Sequence, residues 1–272
     1  MRQIPAKEIT KAIKNLCIQA NTELTADVKR ALKKALAQET SKTGQEILKQ
    51  ILQNAKIAKA EKLPICQDCG LAFVFLEIGQ EVSIVGNLTK AINKGVKQGY
   101  QQGYLRKSVA DPLTRKNTNS NTPSLLHSEL IPGDKLKITL MTKGGGAENC
   151  SAIKMFKPTS TLKEIEAFIV ETVKNNGANA CPPIIVGVGI GGSFDQAPLL
   201  AKKSLLRKVG SQTKWEKELL AKINKLGIGP MGLGGRTTAL ALHVTKAPCH
   251  ISSLPVAVNI ECHAHRVKST TI

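Results

Sequence analysis

Apolar side chains recur at helical spacing through the first sixty residues of the chain. They fall into three groups with the three- and four-residue intervals of a buried helix face: Ile9, Ile13, Leu16 and Cys17, then Val28, Leu32 and Leu36, then Ile47, Leu48, Ile51 and Leu52. Thr25 and Thr43 lie where helix starts are expected and are predicted to be N-caps. The pattern predicts a helical region over residues 5–62.

Strand-like patterns alternate with further helical ones after this region. Continuous or alternating apolar residues predict strands in LAFVFLEIG after Gly70, in KLKITLMT (135–142), in IIVGVGI (184–190) and before His243. Helices are expected over 86–106, 160–177, 195–208 and 214–226, and a polar, turn-rich loop over 107–130. This alternation predicts an α/β fold with a mixed sheet and a helical N-terminal region. We expect a single domain over residues 1–272, helical to about residue 62 and α/β from about 63.

Charge and composition narrow the possible functions. The formal charge is +19, from 39 basic and 20 acidic residues, but the lysines are spread along the predicted helices and aromatic residues make up only 3%. Stacking platforms for bases are therefore scarce, and a nucleic-acid partner is not expected. No apolar run reaches the roughly 18–20 residues needed to cross a bilayer, and the first residues lack the apolar core of a secretory signal. We expect a cytoplasmic protein without a membrane segment.

Seven cysteines are spread over the chain, an odd number that argues against a disulfide framework. Cys66 and Cys69 form a C-x-x-C in PICQDCG, but a zinc ribbon needs a second pair and a thioredoxin-like motif precedes a helix rather than a strand. A buried thiol pair, a small redox turn and one corner of a larger metal site remain open. Cys181 precedes two prolines, which stiffen its turn.

Glycine-rich segments supply further candidates. The turn in TKGGGAEN would expose N–H groups to an anion, or would simply be a tight turn. Gly187, Gly189 and Gly192 fit G-x-G-x-x-G, yet the acidic residue that a dinucleotide site requires some 20 positions later falls in helical sequence. His243 alone is more typical of a core or surface histidine. Cys262 closes an apolar strand beside two histidines.

Six of these segments occur together in the order PICQDCG, KGGGAEN, ACPP, IGGSFD, GIGPMGLGG and CHAHR. In this order and spacing the chain resembles the alpha subunit of the iron–sulfur (class I) fumarate hydratase and L-tartrate dehydratase family, from about residue 45 to 266. The resemblance implies a [4Fe–4S] cluster with one open iron, held by Cys66, Cys181 and Cys262, and loops for that cluster between strands and helices. An open iron can act as a Lewis acid on a substrate hydroxyl.

The same resemblance assigns roles around a dicarboxylate substrate. It implies that Asp68 and His243 are catalytic, with His243 reaching the active site from its own or a neighbouring protomer, and that Arg106, Gly146 and Ala147 bind the substrate. Hydration of fumarate to L-malate is the first expectation and dehydration of L-tartrate to oxaloacetate the alternative. The roles of Cys69, Cys150 and Cys249 are left open.

The sequence also leads to an expectation about a partner subunit and leaves two other functional classes open. Single-chain members of the family carry a second domain that this sequence lacks, so a beta subunit is expected to complete the active site in an α2β2 assembly. A non-catalytic iron–sulfur or electron-transfer module is the competing class, and it requires a fourth ligand, for which Cys69 or Cys150 is the candidate. A basic binding protein without metal is the third.

Overall fold

The computed structural model describes residues 1–272 and has the mixed α/β fold predicted from the sequence. The helices are α1 (Ala6–Thr22), α2 (Ala26–Gln38), α3 (Lys42–Glu61), α4 (Leu88–Gln102), α5 (Gly145–Asn149), α6 (Leu162–Asn176), α7 (Gln196–Ser204) and α8 (Lys214–Asn224). The strands are β1 (Arg2–Pro5), β2 (Leu71–Gly79), β3 (Val82–Val85), β4 (Leu125–Ile131), β5 (Leu136–Lys143), β6 (Ala152–Phe156), β7 (Ile184–Gly191), β8 (Ala239–Ala247), β9 (Leu254–Glu261) and β10 (Arg266–Thr271). None of these helices combines the length and the apolar character that a membrane-spanning segment requires.

The chain divides into two compact units, and each is built from separate stretches of sequence. The first unit comprises Met1–Thr25, Asn54–Gly145 and Arg266–Ile272, and the second comprises Ala26–Gln53 and Gly146–His265. Each unit has its own four-stranded sheet and its own apolar core.

The first unit is organised around a sheet in the order β10-β5-β2-β4. β5 is antiparallel to both β2 and β10, whereas β4 is parallel to β2. Helices α1 and α4 pack together beside this sheet, because the periodic apolar face of α1 is buried. Buried side chains such as Ile13, Val74, Val96 and Ile138 form its core.

The second unit contains a sheet in the order β6-β9-β7-β8, in which only the β7–β8 pair is parallel. Helix α7 approaches β7 closely: a Cβ on Gly187 or Gly189 would lie about 2 Å from a carbonyl oxygen of α7. Helix packing therefore accounts for the first two glycines of the G-x-G-x-x-G pattern. Thr161 and Thr213 begin α6 and α8 with complete capping boxes.

Several local expectations were wrong. The predicted loop over 107–130 ends in a strand, because β4 adds in parallel to the edge of β2 with Phe73 opposite Leu125. Helix α3 begins at Lys42, and the hydroxyl of Ser41, not Thr43, accepts a hydrogen bond from the amide of Gly44 (3.2 Å). The Thr25 hydroxyl is buried without a hydrogen-bond partner, so it does not cap α2.

Candidate active site

The turn that contains Cys66 and Asp68 precedes β2 and holds the Asp68 carboxylate firmly. Oδ1 accepts hydrogen bonds from the amide of Gly70 (3.0 Å) and the hydroxyl of Ser108 (3.4 Å), and Oδ2 accepts one from the amide of Gly145 (2.8 Å). A carboxylate offers about four acceptor positions, so these three donors leave one on Oδ2. Asp68 is half-buried, and no protein donor fills that fourth position.

Arg266 supports the same turn from the start of β10. Its Nη1 donates to the carbonyl of Asp68 (2.5 Å) and to Oδ1 of Asn21 (3.3 Å). The arginine is 1% exposed, and the side-chain amide of Asn21 bonds in turn to α1. Sequence reasoning did not assign Arg266 a role, although it lies in the CHAHR motif that was singled out.

The segment from Arg106 to Ser108 is attached to the turn at two points. The amide of Arg106 donates to Sγ of Cys69 (3.2 Å), and Ser108 bonds to Asp68 as described. Asn121 is completely buried and strengthens this attachment, accepting from the Ser108 amide (2.6 Å) and donating to the carbonyl of Gly70 (3.1 Å). Arg106 is exposed, so its side chain is accessible to solvent beside the turn.

Gly146 and Ala147 lie in the first turn of α5. The first amides of a helix have no partner within it, so both N–H groups are available for an acceptor outside the helix. Gly146 is exposed and Ala147 is buried. This geometry is compatible with the anion-binding interpretation of the glycine turn, with Gly146 as the more accessible donor.

Cys181 and Cys262 belong to backbone segments that meet within the second unit. The carbonyl of Cys181 lies 3.4 Å from the amide of His263 and 2.8 Å from its Nδ1. Cys181 has a left-handed backbone (φ 51°) and is exposed. The Cys262 thiol is half-buried directly after β9 and donates to Oε1 of Glu261 (3.4 Å).

His243 lies in the middle of β8, not at the end of a strand as expected, because β8 continues to Ala247. It is completely buried, and neither ring nitrogen has a hydrogen-bond partner. Burial, reinforced by the positive charge of Arg207, lowers its pKa to about 4. The catalytic role of His243 stays a prediction, and this environment is typical of a neutral core histidine.

The remaining thiols differ from the three predicted ligands. Cys17, Cys69 and Cys150 are buried, whereas Cys249 is exposed. Burial is the main cause that raises the pKa of Cys69, whose sulfur is in contact with the carbonyl of Cys66 (3.7 Å) and the amide of Arg106. A thiol that is difficult to ionise is a poor metal ligand. This environment disfavours Cys69 as the fourth ligand of an electron-transfer module.

The three predicted ligands fit an iron–sulfur cluster in the chemistry of their donors. All three are thiols that are exposed or half-buried, and each lies in a turn next to a strand or at a proline pair. No three His, Cys, Asp or Glu side chains are arranged together as a metal site. Cys66, Asp68 and Arg106 gather within the first unit, and Cys181 and Cys262 gather within the second.

Comparison with known proteins identifies the relatives of this chain. Residues 10–271 match the family described as fumarate hydratase (Fumerase). A Methanocaldococcus jannaschii protein named "Putative L(+)-tartrate dehydratase subunit alpha" is 42% identical over 274 residues, which cover 95% of both chains. The L(+)-tartrate dehydratase alpha subunits of Escherichia coli K12 and Shigella boydii are each 30% identical over 275 residues, covering 97% of this chain and 91% of theirs.

Proposed function

The chain belongs to the fumarate hydratase family and is a hydro-lyase subunit, and from this premise we propose that it is the alpha subunit of an L(+)-tartrate dehydratase. The reaction removes water from L(+)-tartrate and gives oxaloacetate. The observation that carries the proposal is the Asp68 carboxylate, which three donors fix beside Cys66 with one acceptor position open. The names of the relatives support tartrate as the substrate among the dicarboxylates.

Cys66, Cys181 and Cys262 would hold a [4Fe–4S] cluster. Such a cluster with one iron lacking a protein ligand supplies Lewis acidity to the substrate hydroxyl, a poor leaving group at neutral pH. The accessible thiols of these residues support the assignment, and the burial of Cys69 and Cys150 leaves no accessible fourth cysteine in the same segments.

The residues around the Asp68 turn would bind and orient the substrate. At its unfilled position, Oδ2 of Asp68 can accept a hydrogen bond from a substrate hydroxyl and can hold a proton. The Arg106 guanidinium, anchored by its own backbone to the turn, can form a two-pronged ion pair with one substrate carboxylate. The N–H groups of Gly146 and Ala147 can donate to the other carboxylate.

A partner subunit is part of this proposal. The relatives are named as alpha subunits and match this chain over nearly their whole length. We expect a beta subunit that supplies the remaining acid–base groups, in an α2β2 assembly in the cytoplasm. The excess of positive charge suits a dianionic substrate and an acidic partner surface.

Fumarate hydration to L-malate is the second candidate, favoured by the family description. Both reactions require a bound four-carbon dicarboxylate and the same polarised carbon–oxygen bond. The two substrates differ in their hydroxyl groups: L-tartrate carries one on each central carbon, whereas L-malate carries only one. The partner subunit is expected to contribute to this selection.

The substrate assignment can be tested with the assembled enzyme. The affinity-tagged chain is purified without oxygen together with the beta subunit it captures, and oxaloacetate formation from L(+)-tartrate is compared with malate formation from fumarate. We expect the specificity constant for tartrate to exceed that for fumarate by more than about tenfold, a difference of about 1.4 kcal/mol. A preference for fumarate would replace the first candidate by the second, and inactivity on both would refute the hydro-lyase proposal for this chain.

The ligand assignment has its own test. Cys181→Ser is expected to lose stable iron binding, because a serine hydroxyl is far less acidic than a thiol and does not replace thiolate. Cys249→Ser is the matched control, since Cys249 is also exposed but matches no ligand position. Iron content per chain is measured after anaerobic reconstitution, and a full complement in Cys181→Ser would contradict the assignment.

A further inference from the structure

Glu39 is a buried carboxylate in the short connection between α2 and α3. The side chain is 3% exposed, yet it has no cationic partner among its hydrogen bonds. It accepts from the amides of Thr40 (2.9 Å), Ser41 (3.0 Å) and Arg236 (2.9 Å), and from that of Thr237. Burial opposes ionisation, but these amides outweigh it and hold the pKa of Glu39 below its usual value.

The glycine-rich loop 227–236 is shaped to receive this carboxylate. Gly235 has a φ of 130°, and a Cβ there would lie 2.8 Å from Oε2 of Glu39. At Gly44, in α3, a Cβ would lie 2.9 Å from the Glu39 Cγ. A side chain at either position would push the carboxylate away, so the two glycines make the close approach possible. Glu39 thereby joins residues about two hundred positions apart in the sequence.

The middle of the same loop contacts the segment of Cys181. The amide of Met231 donates to the carbonyl of Pro182 (2.7 Å), and Gly232 packs against Ala178. Met231 itself has a positive φ of 53°, an unusual conformation for a side chain of this size. Such a conformation persists only when the surrounding structure fixes it. The loop therefore needs an anchor, and Glu39 provides one.

Cys181 depends on this support because its own backbone is left-handed. Two contacts flank it: Met231 bonds to the next carbonyl along the chain, and His263 bonds to the carbonyl of Cys181 itself. The contact from Met231 is the one connected through the loop to Glu39. All of these residues lie in the second unit.

We propose that Glu39 is a positioning residue for Cys181. Its carboxylate fixes the glycine-rich loop, the loop fixes the carbonyl of Pro182, and this contact fixes the direction in which the Cys181 thiol is presented. The mechanical part of the proposal is independent of ligand chemistry. Its consequence for iron binding rests on the proposed function, in which Cys181 is a cluster ligand.

The test measures amide hydrogen exchange at Met231 in the cluster-free full chain. In Glu39→Gln one acceptor oxygen becomes an amide nitrogen that faces N–H donors, so the loop should lose its anchor. Exchange at Met231 is expected to accelerate about tenfold or more, in line with the loss of a charge-assisted hydrogen bond. The amides of α6 should not change. Glu164→Gln is the matched control, because Glu164 caps α6 in the same unit through the amide of Thr161.

The outcomes separate the two levels of the proposal. Met231 exchange within about twofold of wild type, or no faster than in Glu164→Gln, overturns the positioning role. Should Glu39→Gln not fold, Glu39→Asp is judged by the same criterion, because its carboxylate is one methylene too short to reach every donor. Iron retention is then measured after reconstitution: faster loss in Glu39→Gln but not in Glu164→Gln supports the link to Cys181. Full iron retention in Cys181→Ser would refute the ligand assignment while leaving the exchange result valid.

Discussion

The turn around Asp68 and the start of α8 around Glu216 each bind a carboxylate through backbone amides, but they differ in how many acceptor positions are filled. Each carboxylate collects backbone amides: Asp68 those of Gly70 and Gly145, and Glu216 those of Thr213 (2.7 Å) and Val244 (2.7 Å). Glu216 also forms a two-pronged ion pair with Arg207. Its acceptor positions are filled, whereas Asp68 keeps one open.

The two carboxylates also differ in exposure to solvent. Glu216 is 2% exposed, and although burial alone would raise its pKa, Arg207 and the two amides hold it at about 2. Asp68 is half-buried and has no cation on its carboxylate. A carboxylate whose bonds are complete stabilises the fold, and one that is held but incomplete is prepared for a ligand. The comparison predicts that replacing Asp68 lowers activity, whereas replacing Glu216 lowers stability.

Asp68→Asn should give the largest effect on activity. The change removes the negative charge and turns one acceptor into a donor, so the turnover number of the assembled enzyme should fall about 10²–10⁴-fold. Asp111→Asn is the matched control, because Asp111 also accepts two backbone amides but is exposed in a surface turn. Turnover of Asp68→Asn close to that of the control would mean that the open position is not used.

Arg106→Ala tests whether the segment attached to the turn also binds substrate. Loss of a paired guanidinium should cost about 2–5 kcal/mol in the specificity constant, because the substrate carboxylate is left unpaired. Arg106→Lys should restore only part of it, since an ammonium lacks the two-pronged geometry. Lys107→Ala, at the next position, should behave nearly as wild type. Equal small effects from all three changes would identify Arg106 as part of the general positive surface.

Glu216→Gln should act on stability instead. Removing one partner of a buried ion pair destabilises by about 3 kcal/mol, at the low end of the usual range because the Arg207 side chain is about one-third exposed. Urea unfolding measures this loss, and turnover at a temperature where the variant is folded should stay near the wild-type value. A selective loss of turnover would break the comparison with Asp68.

Acidification should lower the stability of the protein through His243, which lies near this ion pair. The folded-state pKa of His243, about 4, lies below the ordinary value of 6.5, so the unfolded chain binds the proton more readily. The contribution of neutral His243 to the free energy of unfolding is fully present above pH 6.5. It is lost as the pH falls towards 4, and the total loss is about 3 kcal/mol. The unfolding free energy of the wild type should therefore fall relative to that of His243→Leu over this window. Glu216 titrates lower, between about 4.5 and 2, and parallel curves for the two proteins would show that His243 is not the sensor.

Local pattern was sufficient for most elements but not for those formed by distant pairing. The α1 and α6 helices and the β2, β5 and β7 strands follow from apolar periodicity, which depends on neighbouring residues only. β4 was missed because its side chains are mostly exposed, and only its pairing with β2 makes it a strand. β1 and β3 are likewise short strands that pair with each other across about eighty residues.

The candidate site shows the same limit. Motif order placed Cys66, Asp68 and Arg106 in the sequence, and the structure shows them in one turn and its attached segment. Nothing local indicated that Asn121 and Arg266 support that turn, because their contacts span fifty-one and 198 residues. The burial of His243 was also invisible, since it depends on how far β8 continues along its neighbour.

The return of the chain to the first unit has a consequence for the order of folding. β10, the partner of β5, is the last strand of this sheet to be synthesised, and Arg266, which bonds to the carbonyl of Asp68, lies 198 positions after it in the sequence. A nascent chain holding the first 145 residues therefore lacks an edge strand of its sheet and the arginine that supports the Asp68 turn. Contacts this distant in sequence slow folding, so the Asp68 turn is expected to mature after the second unit has been translated.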